Sequence, residues 1–286
     1  MADKASHIVS FALRNIKHRV HPIGELMASA DLPFGLDVSR YQGIIDWDMT
    51  AAHVDPTVEF VIMRAAISWG YKDTYLDRNW AESRRVGIPR GAYHVFYPTE
   101  DPVRQMDHFL NCVGEELGEF PLTLDIELSH DATPAQYQAN LLRALKYLQE
   151  VTHRKPIIYS RATFINAVVT GTDQEPPDWY ADYDWWLAAY LLSGEEHPGP
   201  PRLPYGVPRS RVIIHQTSDR GDGPAFGMQS AALDYNRWQF EQAHLDHYAG
   251  LSIPKPESSP GISEPLATTN PSLTERVQGL LRGKQD

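Results

Sequence analysis

Between residues 35 and 236 the chain alternates short apolar runs with longer segments of helical character, and eight of these runs have the length and composition of strands. They occupy 35–39, 60–65, 91–97, 122–128, 156–159, 185–190, 212–216 and 232–236. Helix-like segments fall at 79–86, 103–117 and 134–151, so the first connections read as crossovers between parallel strands with helices outside. Later connections are shorter and richer in Pro and Gly, above all 195–208, and predict a departure from regular alternation. The expected fold is α/β, an irregular (β/α) barrel of about eight strands whose later strands carry few helices.

The run 122–128 differs from the others because two acids interrupt it. On a strand, Thr123, Asp125 and Glu127 share one face, while Leu122, Leu124, Ile126 and Leu128 share the other. If the strand is internal to an α/β sheet both faces are covered, and two adjacent carboxylates there are costly to desolvate. Burial and mutual repulsion raise one pKa, leaving a proton donor beside a charged carboxylate, a pair suited to acid-catalysed cleavage of a glycosidic bond. The plainer alternative is an antiparallel strand with a wet outer face.

Composition narrows the picture. With 286 residues, 42% of them hydrophobic, the chain can bury one large core, and a barrel of roughly 200–250 residues leaves extensions at both ends. The division expected is an N-terminal extension at 1–32, a catalytic barrel at 33–249 and a tail at 250–286. Ile8, Phe11, Ala12 and Ile16 suggest a short amphipathic helix in the first segment. Residues 252–271 are rich in Pro, Ser, Thr and Glu and read as linker. Ser272-Leu273-Thr274-Glu275 is a capping-box pattern ahead of Val277, Leu280 and Leu281, so a terminal helix is expected. A formal net charge of −11 argues against a nucleic-acid partner. Cys112 is the single cysteine, which excludes an intramolecular disulfide and a Cys-rich zinc site. No apolar run approaches the roughly 18 residues that span a bilayer. Ala28-Ser29-Ala30 resembles a cleavage site, but Arg14, Lys17, Arg19, His21, Pro22 and Glu25 break the apolar core that a secretory signal needs. Action outside the producing cell would then require lysis, a pore-forming partner or packaging in a particle.

Two more acids fall where a barrel keeps its chemistry. Asp37 lies in Gly35-Leu36-Asp37-Val38-Ser39, followed by Tyr41-Gln42-Gly43 and Asp46-Trp47, at the C-terminal end of the first strand. Leu233-Asp234-Tyr235-Asn236 carries the fourth acid on the last strand, which neighbours the first in a closed barrel. Here the sequence resembles glycoside hydrolase family 25, lysozymes of the Chalaropsis type that cut peptidoglycan between N-acetylmuramic acid and N-acetylglucosamine. The matching pieces run in family order from Gly35-Leu36-Asp37-Val38-Ser39 through Val61-Ile62-Met63-Arg64-Ala65, Asn79-Trp80-Ala81 and Gly91-Ala92-Tyr93-His94. They continue with Leu124-Asp125-Ile126-Glu127, Pro156-Ile157-Ile158-Tyr159-Ser160, Trp186-Leu187-Ala188-Ala189-Tyr190, His215-Gln216-Thr217-Ser218 and Leu233-Asp234-Tyr235-Asn236. The match extends over 34–238. Each piece alone is weak, and their common order makes the resemblance specific.

The resemblance implies roles for the acids. Glu127 would be the general acid that protonates the leaving oxygen, with Asp125 supporting it electrostatically and orienting the substrate. Asp37 would stabilise the oxocarbenium-like transition state or act on the second step, and Asp234 would complete the acidic cleft. The resemblance implies a retaining hydrolase; a carboxylate and the substrate's own acetamido group are both open as the intermediate-forming group, and both routes use Glu127 as the acid. No metal or organic cofactor is implied. The partner implied is the glycan strand of bacterial peptidoglycan, in the context of an endolysin or virion-associated lysin. Other readings are a silent carbohydrate-binding or particle-structural barrel and a chitin-type glycosidase.

Candidate sugar contacts are Tyr93, Tyr159, Trp186 and Tyr190, aromatic residues near strand ends that serve core packing equally well, together with Gln216. Arg64, inside a strand, is counted with the substrate-binding candidates; it is either a surface residue or a lumen partner that holds a carboxylate ionised, and the partner role is favoured. Trp47, Trp69, Trp80 and Trp179 read as structural or loop residues. His94 and His215 lie on candidate strands without metal-ligand spacing, and no Gly-x-Ser-x-Gly turn is present. One departure from the family stands out: Ala66-Ile67-Ser68-Trp69-Gly70 replaces a Thr-Glu-Gly-like turn, which predicts a different shape for one cleft wall.

Overall fold

The computed structural model describes residues 29–251 and 273–282. The expected helix within 1–32, the linker at 252–271 and the cap at Ser272 lie outside the described residues. Nine strands form one sheet: β1 (Phe34–Val38), β2 (Val58–Ile67), β3 (Tyr71–Lys72), β4 (Arg90–Val95), β5 (Thr123–Asp125), β6 (Ile157–Ser160), β7 (Asp184–Ala188), β8 (Val212–Asp222) and β9 (Ala232–Trp238). Their order is β1-β9-β8-β7-β6-β5-β4-β2, and the β1–β2 pairing closes the ring into a barrel of eight, with β3 added to the edge of β2. Strands β1, β2 and β4 to β8 run parallel, while β9 is antiparallel to both neighbours. The eight sequence-predicted strands are these eight, shifted at their ends by up to several residues.

Helices cover the first half of the barrel and fade in the second. The principal ones are α1 (Trp47–Ala52), α2 (Leu76–Val86), α3 (Pro102–Val113), α4 (Pro134–Thr152), α5 (Gln242–Tyr248) and α6 (Leu273–Arg282). Pro at the first helical position and an oxygen-bearing residue before it start both α3 and α4: Asp101 accepts from Val103 N and Arg104 N, and Thr133 from Gln136 N. The expected helix 103–117 stops at Val113 because Gly114 adopts a positive φ of 85° and turns the chain. Between β6 and β7 only a short α turn, Ala162–Phe164, leads into a π-helical segment, Ile165–Gly171. Segment 189–208 has no regular helix, since Pro198, Pro200, Pro201, Pro204 and Pro208 remove backbone donors throughout it.

Alternation along the strands builds two cores. Outward residues such as Leu36, Met63, Leu124, Ile158 and Leu187 pack with the helices. Inward residues Phe60, Ile62, Phe120, Ile157, Trp186, Ile214 and Trp238 fill the lumen with an apolar plug. Gly35 is required here, because a Cβ at that position would lie 2.4 Å from the Phe60 ring.

The strand carrying two acids differs from its sequence reading. β5 pairs in parallel with β4 and β6, which excludes the wet antiparallel strand. It ends at Asp125, and the backbone makes one further sheet-like bond, from Ile126 N to Tyr159 O. Glu127 and Leu128 therefore lie past the ladder, and Leu128 is 37% exposed instead of covered. This short strand stops at the mouth of the barrel, so Glu127 stands above the plug on a loop.

Candidate active site

Asp37, at the end of β1, and Asp234, near the start of antiparallel β9, are direct register partners. Reversal of β9 brings its early residues to the same barrel mouth as the late residues of the parallel strands. Asp125 ends β5, and Glu127 follows it by two residues. The structure thus brings all four sequence-predicted acids to one end of the lumen, above an apolar floor.

That floor governs their protonation. Burial pushes Asp37 up to about 6, with the Glu127 charge acting in the same direction and hydrogen bonds from Asn236 and Gln216 opposing it. Burial pushes Asp234 up to about 9, reinforced by the charge of Asp37. Asp234 and Asp37 also hydrogen-bond each other, the protonated Asp234 donating to the Asp37 carboxylate. Burial, then Glu127 and Asp37, raise Asp125 well above the ordinary carboxylate range, and its Oδ1 is buried without a hydrogen-bond partner. Glu127 is different in setting: its side chain is 25% exposed and accepts from Arg161 Nε at 3.0 Å.

A polar shell fixes Asp37. Gln216 Nε2 donates to Asp37 Oδ2 at 2.7 Å, and Asn236 Nδ2 donates to the same oxygen at 2.8 Å. Each amide is turned this way by donors behind it. Tyr159 donates to Gln216 Oε1 at 2.6 Å and Tyr190 donates to that oxygen too. Trp186 Nε1 donates to Asn236 Oδ1 at 2.7 Å. An indole N–H only donates, so it holds the oxygen end of Asn236 and leaves the amide nitrogen for the acid.

The candidate sugar contacts separate by burial. Trp186 is 1% exposed and Gln216 is buried, so both serve the Asp37 shell and neither offers a stacking face. Tyr159 is buried apart from its hydroxyl contacts, whereas Tyr93 and Tyr190 keep partial exposure at the mouth. Arg64 does partner a carboxylate, but the carboxylate is Asp73, at 2.7 Å, which none of the matched motifs contains. Asp73 also accepts from Arg40 N at 3.0 Å. It follows β3, the hairpin formed where 66–70 departs from the family: β2 runs on to Ile67, Ser68 takes a positive φ of 50°, and Trp69 lies under Arg104 at 3.7 Å. Trp47 and Trp80 pack structurally, Trp47 donating to Asn79 Oδ1 at 3.3 Å. Burial pushes His94 down to about 3 and His215 down to about 4. Among the described residues no group of three or more His, Cys, Asp or Glu side chains is arranged to hold a metal ion.

Arg161 and Asn236 are absent from the sequence-derived set of candidates. Asn236 sits in the quoted Leu233-Asp234-Tyr235-Asn236 motif, two positions from Asp234 and hence on the same strand face, a signal that was available. Arg161 directly follows Ser160 in a matched motif, but nothing in the sequence pairs it with Glu127, 34 positions away.

Comparisons with known proteins bear on the family and the fold. The sequence profile described as "Glycosyl hydrolases family 25" matches residues 36–223. An uncharacterized protein of Escherichia coli K12, YegX, is 34% identical over 167 residues, an alignment spanning 58% of this chain and 59% of the length of that relative. Lysozyme M1 of Streptomyces globisporus is 26% identical over 226 residues, covering 74% of this chain and 69% of the lysozyme. The crystal structure of a bacterial lysozyme from Streptomyces coelicolor superposes with a TM-score of 0.63 at 23% identity, over 77% of this chain and 98% of that one. The profile match takes in β1 with Asp37, the Asp125 and Glu127 strand end, and the Gln216 strand, so the chain belongs to glycosyl hydrolases family 25.

Proposed function

We propose that this chain is a peptidoglycan hydrolase that cleaves the β-1,4 bond between N-acetylmuramic acid and N-acetylglucosamine, with residues 33–249 as its catalytic barrel. The observation that carries the reading is the set of acids over one apolar floor: Asp37 and Asp125 buried and Asp234 partly so, all three with raised proton affinity, and Glu127 with a quarter of its side chain in solvent. Glycoside cleavage needs a proton donor that solvent and substrate can reach, together with fixed negative charge beneath the sugar.

Glu127 is the general acid in this reading. Its carboxyl proton passes to the glycosidic oxygen, the C1–O bond breaks with its electron pair going to that oxygen, and positive charge develops at C1 and the ring oxygen. Asp37, ionised at neutral pH and held by two amides, faces that charge; it has no freedom to reorient, so its stabilisation costs no reorganisation. Asp234 supplies Asp37 with a proton-bearing neighbour in place of a second anion. Asp125, which interacts electrostatically with Glu127, supports it and helps orient the substrate. Water later adds to C1 and returns its proton to Glu127. Tyr93 and Tyr190 supply partly exposed rings for sugar contact. Release to the wall by lysis, a pore-forming partner or particle packaging completes the proposal. Among the described residues no helix is long and apolar enough to cross a membrane.

Digestion of purified peptidoglycan tests this. Wild type should release fragments with N-acetylmuramic acid at the new reducing end, identified by mass spectrometry after reduction. Glu127→Gln should remain folded and lose about 10²–10⁴-fold in rate. New N-acetylglucosamine ends would redirect the reading to a chitin-type glycosidase. No fragments from a folded wild type would redirect it to a binding or structural role.

A further inference from the structure

The barrel mouth concentrates carboxyl groups, of which Asp37 is ionised at neutral pH, yet a peptidoglycan strand is itself an acid. Asp37, Asp125, Glu127 and Asp234 act on one another across the cleft, with the phenols of Tyr93, Tyr137, Tyr159 and Tyr190 around them. Two arginines offset Asp125, Arg64 and Arg161. Arg64 is buried and engaged by Asp73 through both Nε, at 2.8 Å, and a terminal nitrogen, at 2.7 Å. Arg161 has only its Nε committed, to Glu127 Oε1 at 3.0 Å, and its side chain is 54% exposed. Its terminal nitrogens make no hydrogen bond to the described residues, leaving the flat, bidentate edge of the guanidinium open at the cleft.

We propose that Arg161 is a specificity-determining residue: its open edge takes a carboxylate of the bound glycan, and in doing so it exchanges its ion pair with Glu127 for one with substrate. A carboxylate approaching the ionised members of this set meets repulsion unless a cation receives it, and of the two arginines beside the acids Arg161 is the one whose uncommitted donors are exposed, Arg64 being buried. The same exchange clears Glu127 Oε1 of its bonded neighbour at the moment the glycosidic oxygen arrives. The carboxylate has two sources, the free lactyl group of N-acetylmuramic acid and the peptide attached to it. This assignment rests on the muramidase reading for its substrate.

Equilibrium binding of product disaccharides separates the two claims. Three probes suffice: N-acetylglucosaminyl-N-acetylmuramic acid with its lactyl carboxylate free, its methylamide, and the disaccharide bearing an alanyl-glutamate peptide. Wild type should bind at least one carboxylate-bearing probe about tenfold more tightly than the methylamide, as expected for one charge-assisted pair. Preference for the first probe identifies the lactyl group, and preference for the third identifies the peptide. Arg161→Gln should bind all three alike, and Arg161→Lys, which keeps the charge without the fork, should fall between. On strands carrying the preferred carboxylate, Arg161→Gln should raise KM about tenfold, and on strands lacking it the KM of the two proteins should agree. Equal affinity of wild type for the three probes, or a preference that survives in Arg161→Gln, overturns the assignment. A carboxylate preference in a wild type that cleaves no strand supports Arg161 and counts against the hydrolase reading alone.

Discussion

Asp234 is the residue where stability and chemistry pull apart. Folding raises its proton affinity to about 9 and that of Asp37 to about 6, against 3.8 for each in the unfolded chain. These two carboxyls therefore bind more protons in the folded protein than in the unfolded chain at every pH between those limits. Stability from these groups is complete below about pH 4 and declines as pH rises through 6 and then 9. Thermal melts should show the melting temperature falling from pH 7 to 9, where the histidines pushed down to about 3 and 4 are largely neutral in both states and Asp234 titrates. Asp234→Asn, which keeps a donor for Asp37 without the ionisable group, should be more stable than wild type at pH 8 by roughly 1–3 kcal/mol. Equal pH slopes in the two proteins would refute this account. Trp186→Phe tests the shell from the other side. It leaves Asn236 Oδ1 without its donor, at a cost of roughly 1–3 kcal/mol, and it should lower kcat more than it changes KM because Asp37 loses its fixed orientation.

Elements whose signals are local were legible in the sequence, and those set by partners were not. Eight strands stood out because each is an apolar run between turns. β3 was invisible: Tyr71–Lys72 is too short to show a pattern, and it exists because Asp73 is drawn onto Arg64. The strand 122–128 looked seven residues long because its alternation persists in sequence, although the ladder ends at Asp125. Asp37, Asp125, Glu127 and Asp234 could be found from motif and position, whereas Arg161 needed the distance to Glu127. The terminal helix α6 makes the same point. Its sequence announces a capping box at Ser272, yet Glu115 reaches its first turn from elsewhere in the chain, accepting from Leu273 N at 2.9 Å and from Thr274 Oγ1 at 2.7 Å. Glu115→Ala should speed amide exchange across 273–282 severalfold and leave hydrolysis unchanged. Unchanged exchange there would mean that Leu273 and Val277, packed against the core, hold the helix by themselves.

At the scale of the molecule, barrel closure is what makes the acids a set. Strand count was readable, but the reversed direction of β9 was not, because alternation looks the same from either end. Reversal has a further consequence. The described barrel is entered at Phe34 and left at Trp238, whose neighbour Arg237 is the register partner of Phe34, so both passages lie at the floor. The acids lie at the opposite rim. Anything joined to the barrel through either passage hangs from its base, and a molecule tethered there to a particle or a support would hold its open mouth outward.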